Sequence, residues 1–171
     1  MTDAQDSIRD ILKKAYQIEV DGYTFYSMAA DRAEKPAVQD LFDKLAKDEV
    51  EHKAYLTSVM RSYDEKGPAA FLVDRRPTPD LRAFSDRIFT DKFKEQAKGA
   101  AFEMGVLSIG MTLEQNAIQY FTRASKETGE SEIRDFYDFL AAWEKQHFDA
   151  LQNLYQGVRQ EFWAEGGFAP F

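Results

Sequence analysis

Two Glu-x-x-His motifs hold the only two histidines of the 171-residue chain. The first motif is Glu49 with His52, and the second is Glu144 with His147. Residues three apart on a helix lie on the same face, so each motif presents a carboxylate and an imidazole side by side. These two ligand types together bind transition metals. Each motif is therefore a candidate half of a metal site.

A single glutamate precedes each motif by 30 residues: Glu19 precedes Glu49, and Glu114 precedes Glu144. Both single glutamates lie on the apolar face of a predicted helix. A bare carboxylate in a core is costly unless its charge is compensated or its pKa shifts until it is neutral. Four carboxylates meeting in one interior would also repel each other, and bound cations remove both costs. The predicted metal ligands are Glu19, Glu49, His52, Glu114, Glu144 and His147.

Four glutamates and two histidines can serve two metal ions, with carboxylates bridging them. Helical bundles that hold two irons or two manganese ions use this set, one Glu from each of two helices and one Glu-x-x-His from each of the others. Two iron ions are the first prediction. Manganese, a mixed iron and manganese pair, and zinc remain alternatives that the ligand types allow. Without a metal, each glutamate could be a partly exposed edge residue and each histidine a hydrogen-bonded core residue.

Apolar residues recur at helical spacing in four long segments, and no window shows the alternation of a strand. Pro36 suits the first position of the second helix, and Gly67 with Pro68 suits its end. Gly129 is a predicted stop for the third helix, and Ser131 a predicted N-cap for the fourth. The predicted helices cover residues 7–33, 36–63, 101–128 and 131–162.

The chain repeats itself at a distance of 95 residues, so that helices one and two fall on helices three and four. All six candidate ligands are retained under this shift. Two helical hairpins related by a pseudo-twofold axis must pack on each other to bury their apolar faces. The fold class is therefore all-α, a four-helix bundle of two hairpins joined by a long crossover. The predicted single domain, 1–171, comprises hairpin 1 (about 7–63), the crossover (about 64–100), hairpin 2 (about 101–162) and a tail (163–171).

The composition narrows the function further. There is no cysteine, which excludes disulfides, thiolate zinc sites, iron–sulfur clusters and thiol catalysis. The net charge of −8 disfavours general nucleic-acid binding. No run of apolar residues is long enough for a membrane span, and the first residues lack the pattern of a signal peptide. We therefore expect a cytoplasmic protein without nucleic-acid or membrane partners. The crossover, after Asp80, is expected to contain a shorter helix.

Four segments resemble the rubrerythrin-like branch of the ferritin-like superfamily: residues 18–26, 48–52, 113–121 and 143–147. The resemblance implies a ferritin-like bundle with a non-haem di-iron site that reduces hydrogen peroxide or oxygen. Tyr26 matches a family tyrosine that hydrogen-bonds a ligand carboxylate, whereas its counterpart in the second hairpin is Phe121. The resemblance also implies oxidoreductase activity and a role in oxidative stress.

The sequence departs from the rubrerythrin pattern in two respects. Rubrerythrins with a rubredoxin-like domain carry four cysteines that supply electrons, and this sequence has none, so the resemblance implies an external electron-donor protein. Rubrerythrins also have a further glutamate one turn before the ligand of the third helix, tied to a redox-linked ligand switch. Met111 occupies that place here, beside Gly110.

Three functions remain open on the sequence. The first is a di-iron oxidoreductase, the second a ferroxidase or iron-handling protein, and the third a non-enzymatic bundle with a redox-inert metal. A homodimer is expected from the resemblance. Seven aromatic residues provide apolar surface for it or, alternatively, cover the ends of their own bundle: Phe71, Phe84, Phe89, Phe93, Trp163, Phe168 and Phe171.

Overall fold

Four long α-helices form the protein in the computed structural model, which describes residues 2–72 and 101–165. Within these two ranges there is no strand, and the prediction of an all-α four-helix bundle is confirmed. No helix in the same ranges is long and apolar enough to cross a membrane. The helices are α1 (Thr2–Arg32), α2 (Pro36–Lys66), α3 (Ala101–Glu127) and α4 (Ser131–Glu165), with a 3₁₀ helix (Gly67–Leu72) after α2.

The helices pair as two hairpins, with α1 packed along α2 and α3 packed along α4. The hairpins then join face to face, and α1 contacts α3 across the join. The buried apolar residues fall into two clusters, one at each end of the bundle. The Leu12 cluster includes Leu12, Leu56, Phe121, Tyr137 and Leu140. The Leu41 cluster includes Tyr26, Leu41, Leu45, Leu107 and Leu151.

The helix ends differ from the predictions by a few residues. Helix α1 begins at Thr2, earlier than the predicted start at Ser7. The residues before Ser7 are mostly polar, so no apolar pattern indicates that they belong to the helix. Helix α2 ends where Gly67 takes a positive φ of 61°, a conformation that glycine adopts without steric cost. The N-cap prediction for Ser131 is wrong, since Ser131 is the first helical residue and its hydroxyl donates to Glu132. The carbonyl of Glu130 accepts the first helical bond instead, from the backbone N–H of Arg134.

The 3₁₀ helix covers one end of the bundle, where it packs on α2 and α4. Phe71 is buried there, with its ring centroid 4.9 Å from that of Phe136 and 5.5 Å from that of Tyr63. Phe71 therefore covers its own bundle and is not available as dimer surface. The predicted helix after Asp80, the tail from 166 and five aromatic residues of the dimer prediction lie outside the described residues: Phe84, Phe89, Phe93, Phe168 and Phe171. For Trp163 only the backbone, as part of α4, is described.

Candidate metal centre

The six predicted ligands meet between the two apolar clusters, and all six are buried. Each helix contributes to this layer. The ligand atoms of the six residues form two groups. Within each group, the atoms lie no more than 4.8 Å from one another. The His52 group contains Glu19, Glu49 and His52, and the His147 group contains Glu49, Glu114, Glu144 and His147.

In the His52 group, one imidazole nitrogen faces two carboxylates. His52 Nδ1 lies 3.0 Å from Glu19 Oε2 and 3.5 Å from Glu49 Oε2. Glu19 comes from α1, while Glu49 and His52 share one face of α2 because they are three residues apart. The group thus offers two carboxylates and one nitrogen to a single cation.

In the His147 group, Nδ1 faces three carboxylates. His147 Nδ1 lies 3.3 Å from Glu49 Oε1, 3.5 Å from Glu114 Oε1 and 4.0 Å from Glu144 Oε2. Glu49 is the only residue common to the two groups, and it directs one oxygen to each histidine. Glu49 is therefore placed to bridge two cations.

The donor atoms fit a pair of transition-metal cations. Both Nδ1 atoms face Glu49, and the two imidazole planes lie 10° apart with centroids 5.1 Å apart. Among the described residues, four buried atoms of this layer that could bind a metal have no hydrogen-bond partner. Burying them without a partner is costly unless a cation binds them. These atoms are Glu19 Oε1, Glu49 Oε2, Glu144 Oε1 and His147 Nδ1. Oxygen and nitrogen donors suit iron, manganese and zinc alike.

The electrostatics of the ligand layer show what a cation would relieve. Burial, followed by the charge of Glu49, raises the pKa of Glu19 to about 8. Burial and the neighbouring carboxylates, Glu19 first, raise the pKa of Glu144 well above its usual range. Burial alone would raise the pKa of Glu114, but the charge of His147 and the hydrogen bonds with His147, Glu144 and Tyr26 together lower it. Burial lowers the pKa of His147, yet the charges of Glu49 and Glu114 raise it well above its usual value. Without a cation, this layer therefore retains protons on buried acids.

Tyr26 donates a short hydrogen bond to Glu114 Oε1. The tyrosine comes from α1 and the glutamate from α3, so this bond ties the two hairpins together at the site. Burial and the charge of Glu114 raise the pKa of the Tyr26 phenol, which keeps it protonated as a donor. The hydrogen bond implied by the resemblance is present in the structure.

Three residues beside the ligands were not singled out from the sequence. His147 Nε2 lies 4.0 Å from Asp48 Oδ2, and Asp48 Oδ1 forms an ion pair with Lys44 at 3.0 Å. The imidazole of His52 stacks on the indole of Trp143, with centroids 3.9 Å apart and planes 9° apart. Asp48 and Trp143 each precede the glutamate of a Glu-x-x-His motif. Comparing these two positions between the hairpins would have revealed them.

A cavity of about 310 Å³ leads to the candidate ligands between α1 and α3. Glu49, Glu114 and Glu144 form part of its lining. Leu113 also lines it and is 36% exposed, although its helical spacing would suit the core. The cavity exceeds the roughly 30 Å³ that one water molecule occupies in the liquid, so it has room for several small molecules.

Met111, which the resemblance places at the additional rubrerythrin glutamate, packs against the Leu41 cluster. Neither ligand group of the described residues includes a further glutamate at this position. The structure therefore offers no carboxylate there for a ligand switch.

The comparisons with known proteins agree with this geometry. The family model described as Rubrerythrin matches residues 10–155, which include all six candidate ligands. Neither the curated proteins nor the solved structures provided a match. A rubrerythrin domain indicates a non-haem di-iron protein, and the buried cluster of glutamates and histidines fits a metal site. The chain belongs to the rubrerythrin family.

Proposed function

We propose that the protein is a di-iron oxidoreductase that reduces hydrogen peroxide or oxygen with electrons from a separate donor protein. The observation that carries this proposal is the pair of ligand groups joined by Glu49. Two cations held by one shared carboxylate can act on a single small molecule together. Membership of the rubrerythrin family makes iron the metal of choice.

When bound, the two irons supply two electrons, which together with two protons convert one hydrogen peroxide into two waters. The residues of the chain position the ligands and shield the site. Glu49 holds the two positions together, and Tyr26 fixes the orientation of Glu114. The two apolar clusters on either side of the layer exclude bulk water, which strengthens the electrostatic interactions within it.

The cavity between α1 and α3 supports a small oxidant as the substrate. It reaches the carboxylates of Glu49, Glu114 and Glu144 without a rearrangement of helices. Lys14 and Asn116 also line it and place polar groups along the path of a hydrogen-bonding molecule such as peroxide. A route of this kind suits the delivery of a molecule that must meet both cations.

The test is anaerobic loading with ferrous iron, followed by rapid mixing with hydrogen peroxide or with air-saturated buffer. We expect two irons per chain and one peroxide consumed per two irons. The oxo-bridged ferric absorption should rise faster with peroxide than with oxygen. If peroxide is no faster than oxygen and no donor supports turnover, the peroxidase assignment fails.

Met111 favours a second candidate function, ferroxidation with iron delivery, because the residue of the family's ligand switch is missing. The same experiment separates the two. Repeated additions of ferrous iron in air should leave two irons per chain in an oxidoreductase, whereas an iron-handling protein should release or accumulate ferric iron beyond two. A bundle with a redox-inert metal would bind zinc and show no iron oxidation.

A further inference from the structure

The two hairpins surround the metal ligands with different residues. Under the 95-residue shift, Tyr26 of the first hairpin corresponds to Phe121 of the second, and Asp48 corresponds to Trp143. The ligands themselves are preserved by the same shift. The sequence asymmetry at the site therefore lies in residues beside the ligands and not in the ligand types.

The His147 group is supported by polar residues. Tyr26 donates its hydrogen bond to Glu114, and Asp48 faces the outer nitrogen of His147 at 4.0 Å. The Asp48 oxygen that faces His147 has no hydrogen-bond partner among the residues the structure describes. Lys44 holds the other oxygen at 3.0 Å, which fixes the carboxylate in place. At 4.0 Å the two side chains are beyond hydrogen-bond distance, so Asp48 supports His147 through its negative charge, which favours a more basic imidazole.

The His52 group is supported by aromatic residues. Trp143 stacks on His52 and offers it a ring face and one N–H donor, but no acceptor. Phe139 corresponds to Lys44 of the first hairpin under the same shift. Its ring packs on that of Trp143, with centroids 4.7 Å apart. Phe121 has no hydroxyl to donate, and Glu19 Oε1 has no hydrogen-bond partner in the described part of the chain. This group is therefore held by packing, without the tyrosine and carboxylate that support the other.

We infer that the protein binds its two cations unequally, the His147 group filling first and the His52 group second. The inference rests on the proposed two-metal function and deepens it. Outer partners of this kind change metal affinity by about 10–100-fold, and we expect a difference of this size between the two positions. The protein therefore forms a half-loaded species, whose second position can accept a different metal.

The number of converging ligands supports the same order. The His147 group already brings four residues within the spacing of one metal ion, whereas the His52 group brings three. The first cation at the His147 group also recruits Glu49, the residue that both groups share. The second position then has Glu19 and His52 as its own ligands, so its cation is the more readily exchanged.

The test is an anaerobic titration of the metal-free full chain with Co(II), monitored by calorimetry and by visible absorption. We expect two separate steps of one equivalent each. Two equivalents bound in one step with equal affinity would overturn the inference and leave the di-iron proposal standing. Failure to bind any Co(II) would overturn both.

Two matched histidine variants assign the steps. His52→Gln should retain the tight step and lose the weak one, because the His147 group keeps all four of its residues. His147→Gln should lose the tight step. The reverse result would overturn the assigned order, and equal losses in the two variants would overturn the inequality itself.

A second matched pair tests the cause at equivalent positions. Tyr26→Phe should weaken the tight step about 10-fold, and Phe121→Tyr should strengthen the weak step by a similar factor. Asp48→Asn keeps the shape of the side chain and should also weaken only the tight step. Circular dichroism of each metal-free variant checks the fold. If a folded Tyr26→Phe and a folded Asp48→Asn both bind as the parent does, the inference is wrong.

Discussion

Gly22 lies so close to Glu49 that a Cβ at position 22 would come within 2.7 Å of Glu49 Oε1. That oxygen is the one that faces His147. At the equivalent position of the second hairpin, α3 has Ala117, which is buried. The absence of a side chain at Gly22 therefore makes room for the one carboxylate that the two ligand groups share.

Replacing Gly22 with alanine should displace the Glu49 carboxylate. We expect metal affinity to fall about 10–100-fold, because the shared ligand leaves its position. Competition against a chromophoric chelator measures this loss. The control is Gly105→Ala, where a Cβ would meet nothing within 4 Å. That exchange should leave affinity unchanged and stabilise the helix by about 0.5–1 kcal/mol. Equal affinities in the two variants would contradict the prediction.

The stability of the metal-free protein should fall as the pH rises from 4.5 towards 8. The pKa of Glu19 is raised to about 8 in the folded chain, from 4.5, so the folded state binds more protons than the unfolded state across this range. The raised pKa of His147 acts in the same direction. With metal added the trend should reverse, because the ligands must lose protons to bind it. Thermal melting at several pH values, with and without metal, measures both trends.

Glu19→Gln provides the variant for this pH experiment, and Glu51→Gln its control. Glutamine cannot ionise, so the pH dependence of the metal-free melting temperature should flatten. Glu51 is exposed and outside the ligand layer, so its exchange should leave the dependence intact. A metal-free parent that melts higher at pH 8 than at pH 4.5 would show that the layer does not retain protons.

Filling the cavity should slow the reaction without removing the metals. Leu113→Trp places a larger side chain in the lining, and we expect reoxidation by peroxide to slow about 10-fold or more while two irons remain bound. Met28→Trp is the control, because Met28 is 51% exposed and does not line the cavity. Stopped-flow absorption compares the two. An unchanged rate in a folded, fully loaded Leu113→Trp would show that peroxide enters elsewhere.

Phe71→Ala tests whether the 3₁₀ helix stabilises the bundle. Phe71 packs on Phe136 and Tyr63, so its truncation should cost about 3–5 kcal/mol of unfolding free energy. Denaturant unfolding measures the loss. Sedimentation should give the same mass for the parent and the variant, because Phe71 is buried in its own chain. A change of oligomeric state with unaltered monomer stability would contradict this assignment.

The sequence was sufficient to predict the four helices because apolar residues recur at helical spacing. It was sufficient to predict the site because three polar exceptions recur in the same order in each hairpin. Glu19, Glu49 and His52 interrupt apolar faces, and their counterparts lie 95 residues further on. Buried charge is costly, so exceptions of this kind mark a shared interior. The structure brings these side chains together into two ligand groups.

The supporting residues were harder to predict, for a physical reason. The contact between Asp48 and His147 joins α2 to α4, and the stack of Trp143 on His52 does the same. Such contacts depend on how the hairpins meet, which helical periodicity does not specify. Leu113 illustrates the same limit of periodicity, since its spacing suits the core while the gap between α1 and α3 leaves it partly exposed.

The division of the core into two apolar clusters has a consequence inside the cell. Newly synthesised copies that have not yet bound metal contain a layer of buried acids without a cation between the Leu12 and Leu41 clusters. Ligands that bind only the folded state shift the folding equilibrium by mass action. Empty copies will open more often and be degraded by proteases sooner than loaded ones. The abundance of this protein should therefore follow the supply of its metal, even at a constant rate of synthesis.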